Sequence, residues 1–222
     1  MSQIVLEAKR VSYVYRTRHR AVQALNEVSY LFESGKVYAI VGKSGCGKST
    51  LISVLAGLYL PSMGHVLCHG KDTLTLDRTL HRRHDVAVIY QNYNLFPLMT
   101  VMENVLYPMQ LQRKPKKEAR ELAEQTLRSV GLDESYFKRL PAMLSGGEQQ
   151  RVAIARAIAS GQRVILADEP TGNLDGENSD LVMKTFKHLA HEEGYCIVIV
   201  THDPQIADES DVIIRMESGK IV

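Results

Sequence analysis

Residues Gly42–Thr50 read GKSGCGKST, between the apolar run Val37–Val41 and a second apolar stretch that begins at Leu51. Gly42, Gly47, Lys48 and Ser49 match the pattern G-x-x-x-x-G-K-[S/T]. At ~7% glycine this pattern arises by chance in about one chain in a hundred of this length. A strand over Val37–Val41, a glycine loop and a helix over Ser49–Leu58 are expected in that order. The glycines let the backbone curl so that successive N–H groups point inward as an anion nest. The helix start adds its positive end. Lys48 is placed to reach the outer phosphates of a bound nucleotide, and the Ser49 hydroxyl to ligate Mg²⁺.

The rest of the chain supplies a sheet for this loop. Val86–Tyr90, Val164–Ala167, Cys196–Val200 and Val212–Ile214 are further short runs rich in Val and Ile. Near-continuous apolar strands of this kind belong to parallel sheets covered on both faces. The expected class is α/β, with helices flanking a mostly parallel sheet. The first ~35 residues alternate in character and predict an antiparallel sheet at the edge. Residues 92–160 contain no buried strand pattern. Lys116–Val130 is an amphipathic helix with Ala119, Leu122, Ala123, Leu127 and Val130 on one face, ended by Gly131 and Asp133. A helical insertion between two halves of the sheet domain follows from this.

Composition narrows the classes. The chain has 222 residues and a net charge of +2, too weak a balance to make nucleic acid the main partner. Basic residues cluster at Arg16–Arg20, Arg78–His84 and Arg113–Lys117, as solvated surface or a face toward anionic headgroups. Three cysteines far apart, with no CxxC, fit a reducing compartment better than a disulfide framework. The N-terminus lacks the apolar stretch of a signal peptide, and no run nears the ~18 residues of a membrane helix. His65/His69 and His81/His84 are spaced as metal pairs, but no cysteine or carboxylate completes either at ligand spacing, so metal binding through them is not expected.

Two further segments carry chemistry. Val164–Ala167 runs into Asp168 and Glu169, placing two acids at the end of a buried strand, where open α/β sheets bind ligands. Neighbouring strand side chains point apart, so the acids need separate tasks. Asp168 suits Mg²⁺, and Glu169 suits orienting or deprotonating an attacking water. The second acid favours hydrolysis over a nucleotide switch. Ser145 and Glu148, in LSGGEQQR, form a capping box for a helix through Val152, Ala155 and Ile158. Capping does not explain Gly146 and Gly147, which weaken a helix by up to ~1 kcal/mol each. Glycines there suit a close approach to the backbone. The chain thus has two anion-ready helix starts.

With these residues in view, the chain resembles the nucleotide-binding subunit of ABC transporters, over essentially its whole length. GKSGCGKST resembles the family's Walker A motif, LSGGEQQ its signature and VILADE its Walker B. Gln91 in VIYQNYNLFP matches the Q-loop, Asn173-Leu174-Asp175 the D-loop, and His202 in IVTHD the switch histidine. LADEPTGNLD resembles the LolD/MacB/FtsE-type group. The resemblance implies a P-loop NTPase (RecA-like) core with an N-terminal antiparallel β subdomain and a helical insertion subdomain. The division is 1–91 and 161–222 for the core with its β subdomain, and 92–160 for the helical subdomain carrying the signature. It implies ATP and Mg²⁺ as cofactors. Gly42, Lys43, Ser44, Gly45, Cys46, Gly47, Lys48, Ser49 and Thr50 would hold the phosphates, and Tyr15, with Tyr13 as alternative, would stack on adenine. Ser145, Gly146, Gly147, Glu148 and Asp175 would contact the nucleotide across a head-to-tail homodimer. Glu169, His202, Gln91 and Lys48 would be catalytic, and Ser49, Gln91 and Asp168 would hold the metal. The partners implied are a second copy and a MacB/FtsX-type permease at the cytoplasmic face of the cell membrane, with residues near Asn92–Thr100 in the docking groove. The output would be export or extraction of lipoproteins, peptides or drugs. The alternatives are an FtsE-like transmission of force to cell-wall hydrolases and a soluble ABC ATPase not linked to transport.

Overall fold

The computed structural model describes residues 3–17 and 20–222. Arg18 and His19, in the first basic cluster, lie outside the described residues, as do Met1 and Ser2. Ile4–Arg16 (β1) and Ala21–Glu33 (β2) pair antiparallel, and Lys36–Val41 (β3) leads through the glycine loop into Lys48–Leu55 (α1). Met63–Cys68 (β4) and Lys71–Asp72 (β5) precede Arg78–His84 (α2) and Val86–Ile89 (β6). Val101–Leu111 (α3), Lys116–Ser129 (α4) and Gly146–Ala159 (α5) follow without an intervening strand. The chain closes with Val164–Asp168 (β7), Gly176–His191 (α6), Cys196–Val200 (β8), Pro204–Asp208 (α7), Val212–Glu217 (β9) and Lys220–Ile221 (β10).

The strands form two sheets. One is antiparallel, in the order β2-β1-β4-β5; the other runs β10-β9-β3-β8-β7-β6 and is parallel except for β10. The α/β class follows as expected. The apolar strands are continuous because each sends alternate side chains into a different core. Ile165 and Ala167 of β7, with Ile197 and Ile199 of β8, face α3–α6. Val164 and Leu166, with Cys196, Val198 and Val200, face α1 and the antiparallel sheet. At ~1.5–3 kcal/mol for each buried Val, Leu or Ile, these two layers hold the sheet rigid beneath the loops that leave it.

Several boundaries differ from the sequence expectations. The helix after the glycine loop stops at Leu55 instead of Leu58, because Gly57 turns the chain at φ 66° against the His81 ring. The run at Val212 extends to Glu217, where β10 pairs with it. The antiparallel sheet takes two strands beyond residue 35, β4 and β5. Helix α3 was not foreseen, although Thr100 and Glu103 form the same capping box as Ser145 and Glu148.

Candidate active site

Four parallel strands, adjacent in the order β3-β8-β7-β6, finish level with one another: Ile40 registers with Val200, Asp168 with Val200, and Ile89 with Ala167. The loops leaving their carboxyl ends carry the glycine loop, His202, Glu169 and Gln91. A cavity of about 610 Å³ opens there, lined among others by Tyr15, Lys48, Ser49, Gln91, Glu169 and His202.

Gly47 starts α1 at φ 109°, and a Cβ there would lie 2.4 Å from the Ala24 carbonyl oxygen, so only glycine fits. No side chain caps α1, so its first N–H groups face the cavity mouth as donors for an anion. Lys48 is buried, and its ammonium donates to the carbonyls of Gly42 at 2.7 Å and Lys43 at 3.1 Å. The lysine therefore braces the loop from inside while keeping its charge beneath the nest. Tyr15 donates or accepts at 3.2 Å with the Thr50 hydroxyl and is 40% exposed, whereas the Tyr13 ring stacks on Tyr59 at 5.3 Å. Of the two aromatics, Tyr15 alone lines the cavity.

Asp168 and Glu169 do take different directions. Asp168 ends β7 and is hydrogen-bonded to the Ser49 hydroxyl; burial raises its carboxyl above the ordinary aspartate value, against that bond and the Lys48 charge. A hydroxyl and a half-buried carboxylate form an all-oxygen donor pair, which fits a hard cation such as Mg²⁺. Glu169 has left the strand at φ 48°, its amide donating to the Val200 carbonyl at 2.9 Å. One carboxylate oxygen accepts from the Gln91 amide at 2.9 Å, and the other faces His202 Nδ1 at 3.0 Å. The acid is thus held from both sides at the cavity wall.

The second helix start lies elsewhere in the chain. Ser145 Oγ accepts from the Glu148 amide at 3.2 Å, and Glu148 returns a 2.7 Å bond to the Ser145 amide, which pulls its carboxyl below the usual range. Ser145 and Gly146 are exposed, and none of residues 145–148 lines the nucleotide cavity. The glycines have neighbours within the same chain. A Cβ on Gly146 would meet the Tyr93 hydroxyl at 2.8 Å, and one on Gly147 would meet Leu174 at 3.2 Å. Asp175 caps α6 through the Asn178 amide and is also absent from the cavity lining.

Three contributors had no signal in the sequence. Arg156 of α5 donates to the carbonyls of Asn94 at 2.7 Å and Tyr93 at 3.0 Å, fixing two consecutive left-handed residues just after Gln91. Tyr93 links that loop to Gly146. Asn104, fully buried in α3, bonds Phe96, Met99 and Thr100 and stitches the loop between them. The Arg156 bonds reach across 62 and 63 residues, and the Asn104 bonds join helix α3 to the irregular loop four to eight residues before it.

The comparisons agree with this geometry. The ABC transporter family profile matches residues 25–172. The chain is 38% identical over 224 residues to the lipoprotein-releasing system ATP-binding protein LolD of Maricaulis maris, covering all of this chain and 97% of that one. It is 40% identical over 225 residues to the macrolide export ATP-binding/permease protein MacB 2 of Aeromonas hydrophila, covering all of this chain and 34% of that one. The dimeric structure of the bacterial ABC transporter cassette MJ0796 superposes with a TM-score of 0.93 at 36% identity, over 97% of this chain and 96% of that one. A second structure of that cassette is a dimeric post-hydrolysis state bound to ADP and Pi, with the same TM-score. The strand-end constellation, the matched family and the full-length relatives lead to one conclusion: the chain belongs to the ABC transporter family, as an ATP-binding, ATP-hydrolysing subunit.

Proposed function

We propose that two copies of the chain close head to tail on ATP and drive a separate membrane-spanning permease of MacB/FtsX type. The work done is export, or extraction of a lipoprotein, peptide or drug. The subunit sits at the cytoplasmic face of the cell membrane and touches it only through that permease. The observation that carries this reading is the Ser145 helix start. It is capped, glycine-bearing and exposed, yet stands apart from the phosphate cavity of its own chain. Such a start gains a phosphate only from another copy.

Within each half-site, the glycine loop and Lys48 bind the ATP phosphates, and Tyr15 stacks on adenine. Ser49, Asp168 and Gln91 would hold Mg²⁺, which when bound would neutralise charge on the phosphates. Glu169, fixed by Gln91 and His202, orients a water and takes its proton as the water oxygen bonds to the γ-phosphorus. The bond to the bridging oxygen breaks, and ADP keeps that electron pair. His202 steadies the phosphoryl oxygens in flight. Ser145, Gly146, Gly147, Glu148 and Asp175 serve the partner copy's nucleotide. The apolar groove beside α3, about 440 Å³ and lined by Tyr90, Phe96, Tyr107 and Leu111 among others, supports a permease dock that includes the 92–100 loop, in which Leu98 is 90% exposed.

Glu169→Gln is expected to keep ATP binding, lose ~10²–10⁴-fold in turnover and accumulate as an ATP-bound dimer in light scattering. Ser145→Arg is expected to bind ATP as a monomer without hydrolysis. A Ser145→Arg chain that still dimerises and turns over would defeat the head-to-tail reading.

A further inference from the structure

The structure revises one sequence expectation outside the nucleotide site. His81 was expected to lack metal-binding company, yet Cys68 and Asp85 gather around it, with one donor atom from each of the three within 4.8 Å of the others. Cys68 ends β4 in the antiparallel sheet. His81 lies in α2, and Asp85 follows that helix. Cys68 and His81 are buried at 2% and 1% exposure, and the Asp85 side chain is half-buried. His81 Nδ1 faces Asp85 Oδ2 at 3.1 Å, while Nε2 is buried with no hydrogen-bond partner.

A lone His–Asp pair would explain Nδ1 and the carboxylate and leave the buried thiol beside them without a task. Two nitrogen or oxygen ligands at ~2.0–2.1 Å from a tetrahedral ion stand ~3.3 Å apart, close to the Nδ1–Oδ2 separation. The set combines a soft sulfur, a borderline imidazole and one carboxylate. That selects a borderline-soft ion over Mg²⁺ or Ca²⁺, which take oxygen ligands. We infer that Cys68, His81 and Asp85 bind one divalent cation of the zinc class, at the seam between the antiparallel sheet and the nucleotide core. Three protein donors leave a fourth position for water or an added ligand. The seam matters because α2 also holds the end of α1: Arg82 donates to the Gly57 carbonyl at 3.2 Å, and the His81 ring packs on Gly57. A bound ion would therefore fasten β4 to the helix that follows the phosphate loop.

The test uses the full chain without nucleotide, in excess Mg²⁺. Co²⁺ is added and followed by absorption, and Zn²⁺ is then competed against a chromophoric chelator. The expected result is one Co²⁺ per chain with a thiolate-to-metal band in the near ultraviolet, displaced by Zn²⁺. Cys68→Ala should abolish the band. Asp85→Asn should keep it and weaken Zn²⁺ by at least ~10-fold, the lower end of what losing even an outer partner costs. Cys46→Ala should change neither. If Cys68→Ala melts at assay temperature, Asp85→Asn and Cys46→Ala carry the test. A folded wild-type chain without the band, a band lost in Cys46→Ala, or unchanged Zn²⁺ affinity in Asp85→Asn overturns the inference.

Discussion

Removing the Arg156 guanidinium isolates how the Gln91 loop is held. Its two bonds, to the carbonyls of Tyr93 and Asn94, involve a charged donor and are worth ~1.5–3 kcal/mol each, or ~3–6 together. They act against strain: Tyr93 and Asn94 sit at φ 56° and 49°. A left-handed residue costs ~1–2 kcal/mol, less for asparagine, so the pair stores ~2–3 kcal/mol. In Arg156→Ala the loop relaxes and recovers that strain. The net loss is then only ~0–4 kcal/mol, a drop in Tm of up to ~16 °C for a chain of this size. Turnover should suffer more than stability. Once the loop relaxes, Gln91 no longer fixes Glu169, and a misplacement near 1 Å can cost ~10²-fold. Arg156→Lys should not rescue turnover, since an ammonium lacks the fork that spans both carbonyls. Asn94→Gly should stabilise the parent chain by up to ~1 kcal/mol and do little in Arg156→Ala, where the strain is already gone. Thermal melts, ATP-analogue fluorescence and phosphate release on the parent and the four variants read this out. Two results would refute the reasoning: an Arg156→Ala loss above ~5 kcal/mol, or Asn94→Gly acting equally in both backgrounds.

Two further outcomes follow from the phosphate loop and its acid. Gly47→Ala sets a methyl 2.4 Å from the Ala24 carbonyl oxygen at φ 109°, so ATP affinity should fall below detection by calorimetry, with at least ~1–3 kcal/mol lost in chemical denaturation. Asp168→Asn should raise Tm at neutral pH while abolishing Mg²⁺-dependent hydrolysis. The folded carboxyl lies above the ordinary 3.8, so the native state holds its proton more tightly than the unfolded chain, and stability falls as pH rises between the two values. The gain from Asp168→Asn should therefore be full at pH 7 and vanish below pH ~3.8; a Tm difference independent of pH would contradict it.

How much of this was legible depends on the range of the cause. The strands that lead to Asp168 and His202 were readable because both faces are buried, which leaves an unbroken Val/Ile run. The phosphate loop and the Ser145 start were readable because loop and cap chemistry lie within nine residues. Helix α3 carries an equally local signal, the Thr100 and Glu103 capping box, although its interior is broken by Pro108. Strand β4 was obscure because its pairing partner is β1, some sixty residues earlier, and β5 is a two-residue strand that pairs only with β4. Tyr93, Arg156 and the Cys68–His81–Asp85 cluster have no local pattern at all: their meaning comes from what the fold sets beside them.

The strand order has a consequence for how the chain is made. β3, which delivers the phosphate loop, sits in the sheet between β9 and β8, and neither begins before Cys196. A chain emerging from the ribosome therefore presents β3 with two open edges until residues 196–217 appear. The loop cannot gain its rigid seat, and Glu169 cannot gain His202, before residues 196–217 have been made. Such long-range closure is slow and leaves apolar edges exposed to other chains. Chains cut before Cys196 should accordingly yield aggregates during translation, not weakened ATPases.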